Sequence, residues 1–172
     1  ETFIPLEVNI RYVIQTNPKG TAHALGLAHE ISKNSHAVMI FPDDLYFSNS
    51  EENHLKRLLN AFKNDDKQIL LTGIKMKDVS NVSILENSRL VEKPKNPTSD
   101  IGGFSPMLFP KALCDYMSML AERIENGEIV EEMGENGECC YVDAINSFLG
   151  NSYNRYFIKM FLKDEKTEYM DA

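Results

Sequence analysis

Apolar and polar positions over residues 8–14 predict a β-strand, and Pro18, Lys19 and Gly20 form a turn signal that ends it. A helix is expected next. Thr21 can serve as its N-cap, and Ala24, Leu25, Leu27, Ala28 and Ile31 give it a broad apolar face through residue 32. Residues 37–41 are continuously apolar, too short for a helix and stopped by Pro42, so they read as a buried strand. Strand, helix and strand within about 35 residues predict a βαβ unit with a right-handed crossover and parallel strands. Asp43 then lies just past the carboxyl end of a buried parallel strand, where open α/β sheets place ligands.

Leu55, Leu58, Leu59 and Phe62 have the spacing of an amphipathic helix over 51–63, and 68–74 read as another strand. Residues 82–85 and 89–92, joined by Glu86, Asn87 and Ser88, form a predicted hairpin, so the sheet is expected to become mixed there. The proline- and glycine-rich stretch 95–110 should be loop and strand, walling a cleft. Leu113, Met117, Leu120 and Ile124 predict a helix over 111–126 that Gly127 can end. Residues 128–138 are acidic and read as a surface loop. Residues 141–149 look helical, 155–162 read as a strand, and 166–170 are expected to pair with it across 163–165.

Composition narrows the function. The chain has 172 residues, 42% hydrophobic and 26% charged, which suits a single globular domain over 1–172. Its net charge of −8 argues against binding a nucleic-acid backbone, yet a small phosphorylated ligand needs only a few local donors and a cation. The apolar runs fall far short of the roughly 20 residues a membrane span requires, so no membrane partner is expected. No secretory signal opens the chain, and Cys114, Cys139 and Cys140 form neither a disulfide framework nor a zinc pattern, so a cytoplasmic protein with reduced thiols is expected. His23, His29, His36 and His54 show no zinc-binding spacing, and His23 and His29 read as helix-surface or core residues.

Four segments then carry candidate chemistry. Gln15 follows a predicted strand, and its carboxamide can donate to and accept from a pyrimidine edge, while Gly20 permits close backbone approach. Asp43 and Asp44 follow a buried strand. Carboxylates there suit Mg²⁺, which takes one or two of them plus substrate phosphate oxygens. Asp44 better fits an N-cap or Asx-turn after Pro42, whereas Asp43 has a second strand-end aspartate, Asp171, as a potential partner on one cation. Glu92 and Lys93 leave the predicted hairpin ahead of Pro94, offering a carboxylate for sugar hydroxyls and a cation for phosphate. A surface ion pair is the plainer alternative for those two.

Together these segments resemble the sugar-1-phosphate nucleotidyltransferases, whose catalytic domain is a Rossmann-like α/β fold. The resemblance implies a three-layer α/β/α domain with a mixed, mostly parallel sheet. It also implies that the chain is N-terminally truncated, because the family's glycine-rich triphosphate loop is absent. Gln15, Gly20 and Thr21 match its nucleotide contacts, Asp43 and Asp171 its two Mg²⁺-binding aspartates, and Glu92, Lys93 and Gly103 its sugar-phosphate contacts. Gly137-Glu138 and Val142-Asp143-Ala144-Ile145 resemble two further family segments. The expected partners are UTP and a sugar 1-phosphate, with Mg²⁺ as cofactor, Lys93 and Asp43 as catalytic residues, and a homo-oligomer as the family's common state. Pro42 before Asp43 and the Gly-x-x-His-Ala pattern at 20–24 resemble the UTP:glucose-1-phosphate uridylyltransferases. The implied reaction gives UDP-glucose and pyrophosphate. Another sugar, such as N-acetylglucosamine 1-phosphate, another base, as in dTTP, and a catalytically silent regulatory or assembly domain are the alternatives. Val82 and Ser105 stand where many members carry glycine.

Overall fold

The computed structural model describes residues 9–32, 35–48, 53–151, 155–162 and 167–170, with backbone alone for 45–48 and 167–170. In chain order the elements are α1 (Thr21–His29), β1 (Ala37–Met39), β2 (Leu45–Ser48), α2 (His54–Asn64), β3 (Gln68–Lys75), β4 (Ser83–Glu86), β5 (Arg89–Glu92), β6 (Ile101–Phe109), α3 (Lys111–Glu125), α4 (Tyr141–Asn151), β7 (Phe157–Leu162) and β8 (Thr167–Met170). Among the described residues, six strands form the main sheet in the order β5-β4-β6-β3-β7, with β1 also on β6.

Side-chain alternation sorts the layers. Ile69 and Leu71 of β3 and Met107 and Phe109 of β6 pack with Leu113, Met117, Leu120 and Ile124 of α3 and Val142, Ile145 and Phe148 of α4. Leu70 and Leu108, one position out of phase, pack instead with Leu58 and Phe62 of α2. Helices thus cover both faces, and burial of each large side chain stabilises the fold by about 1.5–3 kcal/mol. Asn53 caps α2, its side chain accepting from Leu55 N–H at 2.8 Å.

The sheet is mixed, but its expected mostly parallel character is corrected. Among the described residues only β3 and β7 run parallel, while β1–β6, β3–β6, β4–β5 and β4–β6 are antiparallel. The described residues 9–14 form no strand, and Tyr12 and Ile14 are 87% and 80% exposed. Their apolar alternation is a strand signal without a neighbouring ladder, and a strand needs a partner to exist. The βαβ reading therefore loses its first strand. The expected pairing of 166–170 with 155–162 is also overturned, because β8 pairs with β2 in a separate antiparallel ladder, Leu45 opposite Met170. β7 instead takes the place beside β3, where Ile158 becomes buried.

Strand β6 carries the irregularity that makes room for a site. Thr72 of β3 pairs with Phe104 while Leu71 pairs with Met107, so Ser105 and Pro106 bulge from the ladder. Pro106 has no N–H to leave unpaired, and its carbonyl accepts from the Thr72 hydroxyl at 2.9 Å. Ser105 faces the loop after β1: Phe41 N–H donates to Ser105 Oγ at 3.0 Å, and Ser105 N–H donates to Asp44 Oδ2 at 2.8 Å. β4 pairs with β6 at Gly102 and Gly103 and β1 pairs at 107–109, so this loop fills the interval between them.

Candidate active site

A cavity of about 390 Å³ opens beside that interval, lined among others by Thr21, Asp44, Glu92, Gly103 and Tyr141. Five separate stretches of chain meet there. Thr21 stands at the start of α1, Asp44 after β1, Glu92 at the end of β5, Gly103 in β6 and Tyr141 at the start of α4.

The loop of Gln15, Gly20 and Thr21 is fixed by the backbone ahead of α4. Gly20 has φ +93°, and a Cβ placed on it would lie 2.5 Å from the Cys139 carbonyl oxygen. Cys139 N–H donates to Lys19 O at 2.7 Å, and Ala22 N–H donates to Cys139 O at 3.0 Å. Gly20 is thus required by a backbone crossing within the fold. It is also the N-cap of α1, in place of Thr21. The Thr21 hydroxyl accepts instead from Tyr141 N–H at 2.9 Å, satisfying one of the unpaired donors at the start of α4. Gln15 is not in the cavity lining; its Nε2 donates to Gly20 O at 3.2 Å and meets His23 Nδ1 at 2.7 Å. His23 is buried in α1, and its Nε2 meets Glu125 Oε1 of α3 at 3.0 Å.

The two adjacent aspartates divide their work differently from the sequence expectation. Asp44, read as a cap or Asx-turn, makes a tertiary tie to the β6 bulge and lines the cavity. Asp43 is exposed, outside the cavity lining, and makes no hydrogen bond to a described residue. Asp171 lies outside the described residues. The register of Leu45 against Met170 nevertheless brings the residue after Asp44 opposite the residue before Asp171. No group of three or more His, Cys, Asp or Glu side chains that could hold a metal occurs among the described residues. Mg²⁺ takes one or two carboxylates together with phosphate oxygens, and Asp43 and Asp44 are donors of that type, although only Asp44 lines the cavity.

The hairpin supplies the opposite wall. Asn87 and Ser88 have φ of 48° and 65°, the two-residue turn that matches strand twist, and this sets the register bringing Glu92 opposite Ser83. Burial at the cavity raises the Glu92 carboxyl above its ordinary range, with Lys93 lowering it and Asp143 raising it further. Lys93 is exposed, does not line the cavity, and takes φ +44°, a strained conformation for a lysine, with its N–H donating to Val82 O at 3.1 Å. Gly103 lies where a Cβ would come within 3.0 Å of both Met160 Cε and Ser83 Oγ.

Several lining residues had no role in the sequence reading. Tyr141 is pushed up to about 12, chiefly by burial, so its phenol remains protonated, and its hydroxyl lies 3.1 Å from Ser83 Oγ. Ser83, Phe41 and Cys140 join it in the lining, together with Val82, which was noted only as a departure from glycine. Nothing in the local pattern marks Ser83 or Tyr141, whose chemistry depends on a contact between a hairpin and a distant helix.

With these elements in place, the nucleotidyl transferase family model matches residues 3–144, and the chain belongs to that family. A relative, the low-salt glycan biosynthesis nucleotidyltransferase Agl11 of Haloferax volcanii, is 26% identical over 155 residues, covering 85% of this chain and 38% of its own. Among solved structures, UDP-glucose pyrophosphorylase complexed with UDP-glucose is similar at TM-score 0.70 and 19% identity, covering 94% of this chain and 60% of that one. A putative glucose-1-phosphate thymidylyltransferase from Bacillus anthracis, in complex with a sucrose, is similar at TM-score 0.67 and 19% identity, covering 94% and 58%. These likenesses establish the Rossmann-like nucleotide-sugar transferase fold. The chain spans 38% of the curated relative's length and less than two thirds of the solved ones.

Proposed function

We propose that this chain is a single domain carrying the base, metal and sugar-phosphate part of an enzyme that transfers UMP from UTP to a sugar 1-phosphate, with glucose 1-phosphate as the preferred acceptor. The observation that carries the reading is the convergence of Thr21, Asp44, Glu92 and Gly103 on one cavity of about 390 Å³, within the size range of small-ligand sites. In the reaction, an acceptor phosphate oxygen attacks the α-phosphorus of UTP. The bond to pyrophosphate breaks, and UDP-sugar and pyrophosphate leave. Such a displacement needs positioning and charge neutralisation, with no protein nucleophile.

In this reading Gln15 meets the base, Glu92 holds sugar hydroxyls and Lys93 holds the acceptor phosphate as a point charge. Tyr141, kept protonated and in the cavity lining beside Ser83, has a phenolic hydrogen that a ligand oxygen can accept. Asp43 and Asp171 would hold Mg²⁺, which neutralises phosphate charge when bound. UDP-glucose in one structural relative supports uracil and glucose, while the thymidylyltransferase relative keeps dTTP as the rival nucleotide.

Pyrophosphate release from UTP, measured with the full-length protein over a panel of sugar 1-phosphates, tests the reading. Release dependent on glucose 1-phosphate and Mg²⁺ is expected, and Lys93→Ala should lower kcat/KM by about 100-fold. Release equal with every acceptor, or with none added, would overturn it.

A further inference from the structure

Outside the cavity lining, a chain of side chains runs from Gln15 through His23 to Glu125 at the carboxyl end of α3. His23 is fully buried, and each ring nitrogen has one partner: Nδ1 lies 2.7 Å from Gln15 Nε2, and Nε2 lies 3.0 Å from Glu125 Oε1. The assignment of protons follows from chemistry. Gln15 Nε2 also lies 3.2 Å from Gly20 O, and a carbonyl oxygen can only accept, so the nitrogen of the amide faces inward. One of its hydrogens serves Gly20 O and the other serves His23 Nδ1. Nδ1 must then be the accepting nitrogen, and the ring proton resides on Nε2, donated to the Glu125 carboxylate. Both amide hydrogens of Gln15 are thereby engaged. Its Oε1 receives no hydrogen bond from a described residue.

We propose that Glu125 and His23 are positioning residues that make Gln15 an acceptor-only reader of the base. This deepens the function proposed above and rests on Gln15 meeting the nucleotide base. An isolated glutamine can present either end of its amide, so it discriminates poorly between a base with N–H at N3 and a base with a lone pair there. With its hydrogens tied inward, Gln15 offers Oε1. That atom accepts from N3–H of uracil or thymine and is repelled by the N3 lone pair of cytosine. Selection against cytosine therefore originates at Glu125, a half-exposed residue on another helix that lies outside the cavity lining. The relay does not separate uracil from thymine, which share this edge.

The test joins a spectrum that needs no ligand to a ratio of affinities. Two-bond nitrogen–proton spectra of ¹⁵N-histidine protein should show His23 neutral with its proton on Nε2. Glu125→Lys offers only donors, so it should move the proton to Nδ1 and deprive Gln15 of its acceptor. Calorimetric titration with UTP and with CTP should then show the UTP preference falling about fivefold, the scale of one net hydrogen bond. Taking a ratio cancels the added positive charge, which acts alike on both triphosphates. Gln15→Ala should lose the same preference. A wild-type proton on Nδ1, or an unchanged preference in Glu125→Lys while Gln15→Ala loses it, overturns the relay. Unchanged UTP and CTP binding in Gln15→Ala overturns the base-reading itself, even where the tautomer moves as stated.

Discussion

At the scale of single residues, one hydroxyl joins two parts of the site. Thr21 Oγ1 accepts from Tyr141 N–H, so Thr21→Ala should cost about 1 kcal/mol in urea unfolding, the usual loss for a helix cap, and Thr21→Ser should restore it. Gly20→Ala is more severe, because φ +93° disfavours a Cβ and the Cys139 backbone occupies its place. A loss of about 2 kcal/mol or more is expected in the same measurement. Asp43→Ala should leave the thermal midpoint unchanged while abolishing the Mg²⁺-dependent part of UTP binding by calorimetry, since its exposed carboxylate supports no described contact. Binding equally strengthened by Mg²⁺ in that variant would remove Asp43 from the metal site. Gly20 and Thr21 stood out in the sequence as a turn and a helix start. Their actual partners, Cys139 and Tyr141, are long-range, and no local pattern encodes which distant backbone will cross a glycine.

At the scale of elements, the helices over 51–63, 111–126 and 141–149 were legible because their apolar spacing is long and periodic, and each is present within a few residues of the expected ends. The hairpin was legible from its turn. Residues 9–14 show the limit of such signals, because alternation describes a strand's faces and says nothing of its neighbours. Asp44 shows another limit: its role follows from the β6 bulge at Ser105 and Pro106, a feature of pairing between β3 and β6. Helix α2 is held to the sheet mainly through Leu58 and Phe62 against Leu70 and Leu108. Leu58→Ala should therefore cost about 2–5 kcal/mol in denaturant midpoint measurements, by transfer and cavity terms together. A cost below that range would mean that α2 repacks onto the sheet.

At the scale of the whole molecule, the segment over 128–138, expected as acidic surface, buries one carboxylate. Glu132 is 7% exposed and accepts from the Tyr116 hydroxyl and from Ser147 Oγ, linking α3 to α4. Burial raises its carboxyl, but hydrogen bonds from Tyr116, Ser147 and its own backbone, together with the nearby Arg123 charge, outweigh that and hold it below the ordinary glutamate value. Its contribution to stability is therefore full above the ordinary glutamate range and is lost as pH falls through the depressed folded value. Denaturant unfolding across this acid range should show that loss, and Glu132→Gln should flatten it. The proposed function requires a nucleotide sugar to occupy the cavity between the hairpin, β6 and α4. It is tested most directly by titrating UDP-glucose into ¹⁵N-labelled protein and mapping backbone amide shifts. Shifts concentrated at Thr21, Ser83, Gly103 and Tyr141 are predicted. Saturating ligand that moves none of them, or that moves instead Asn9, Arg11 and Ile31 around a separate cavity of about 380 Å³, would contradict it.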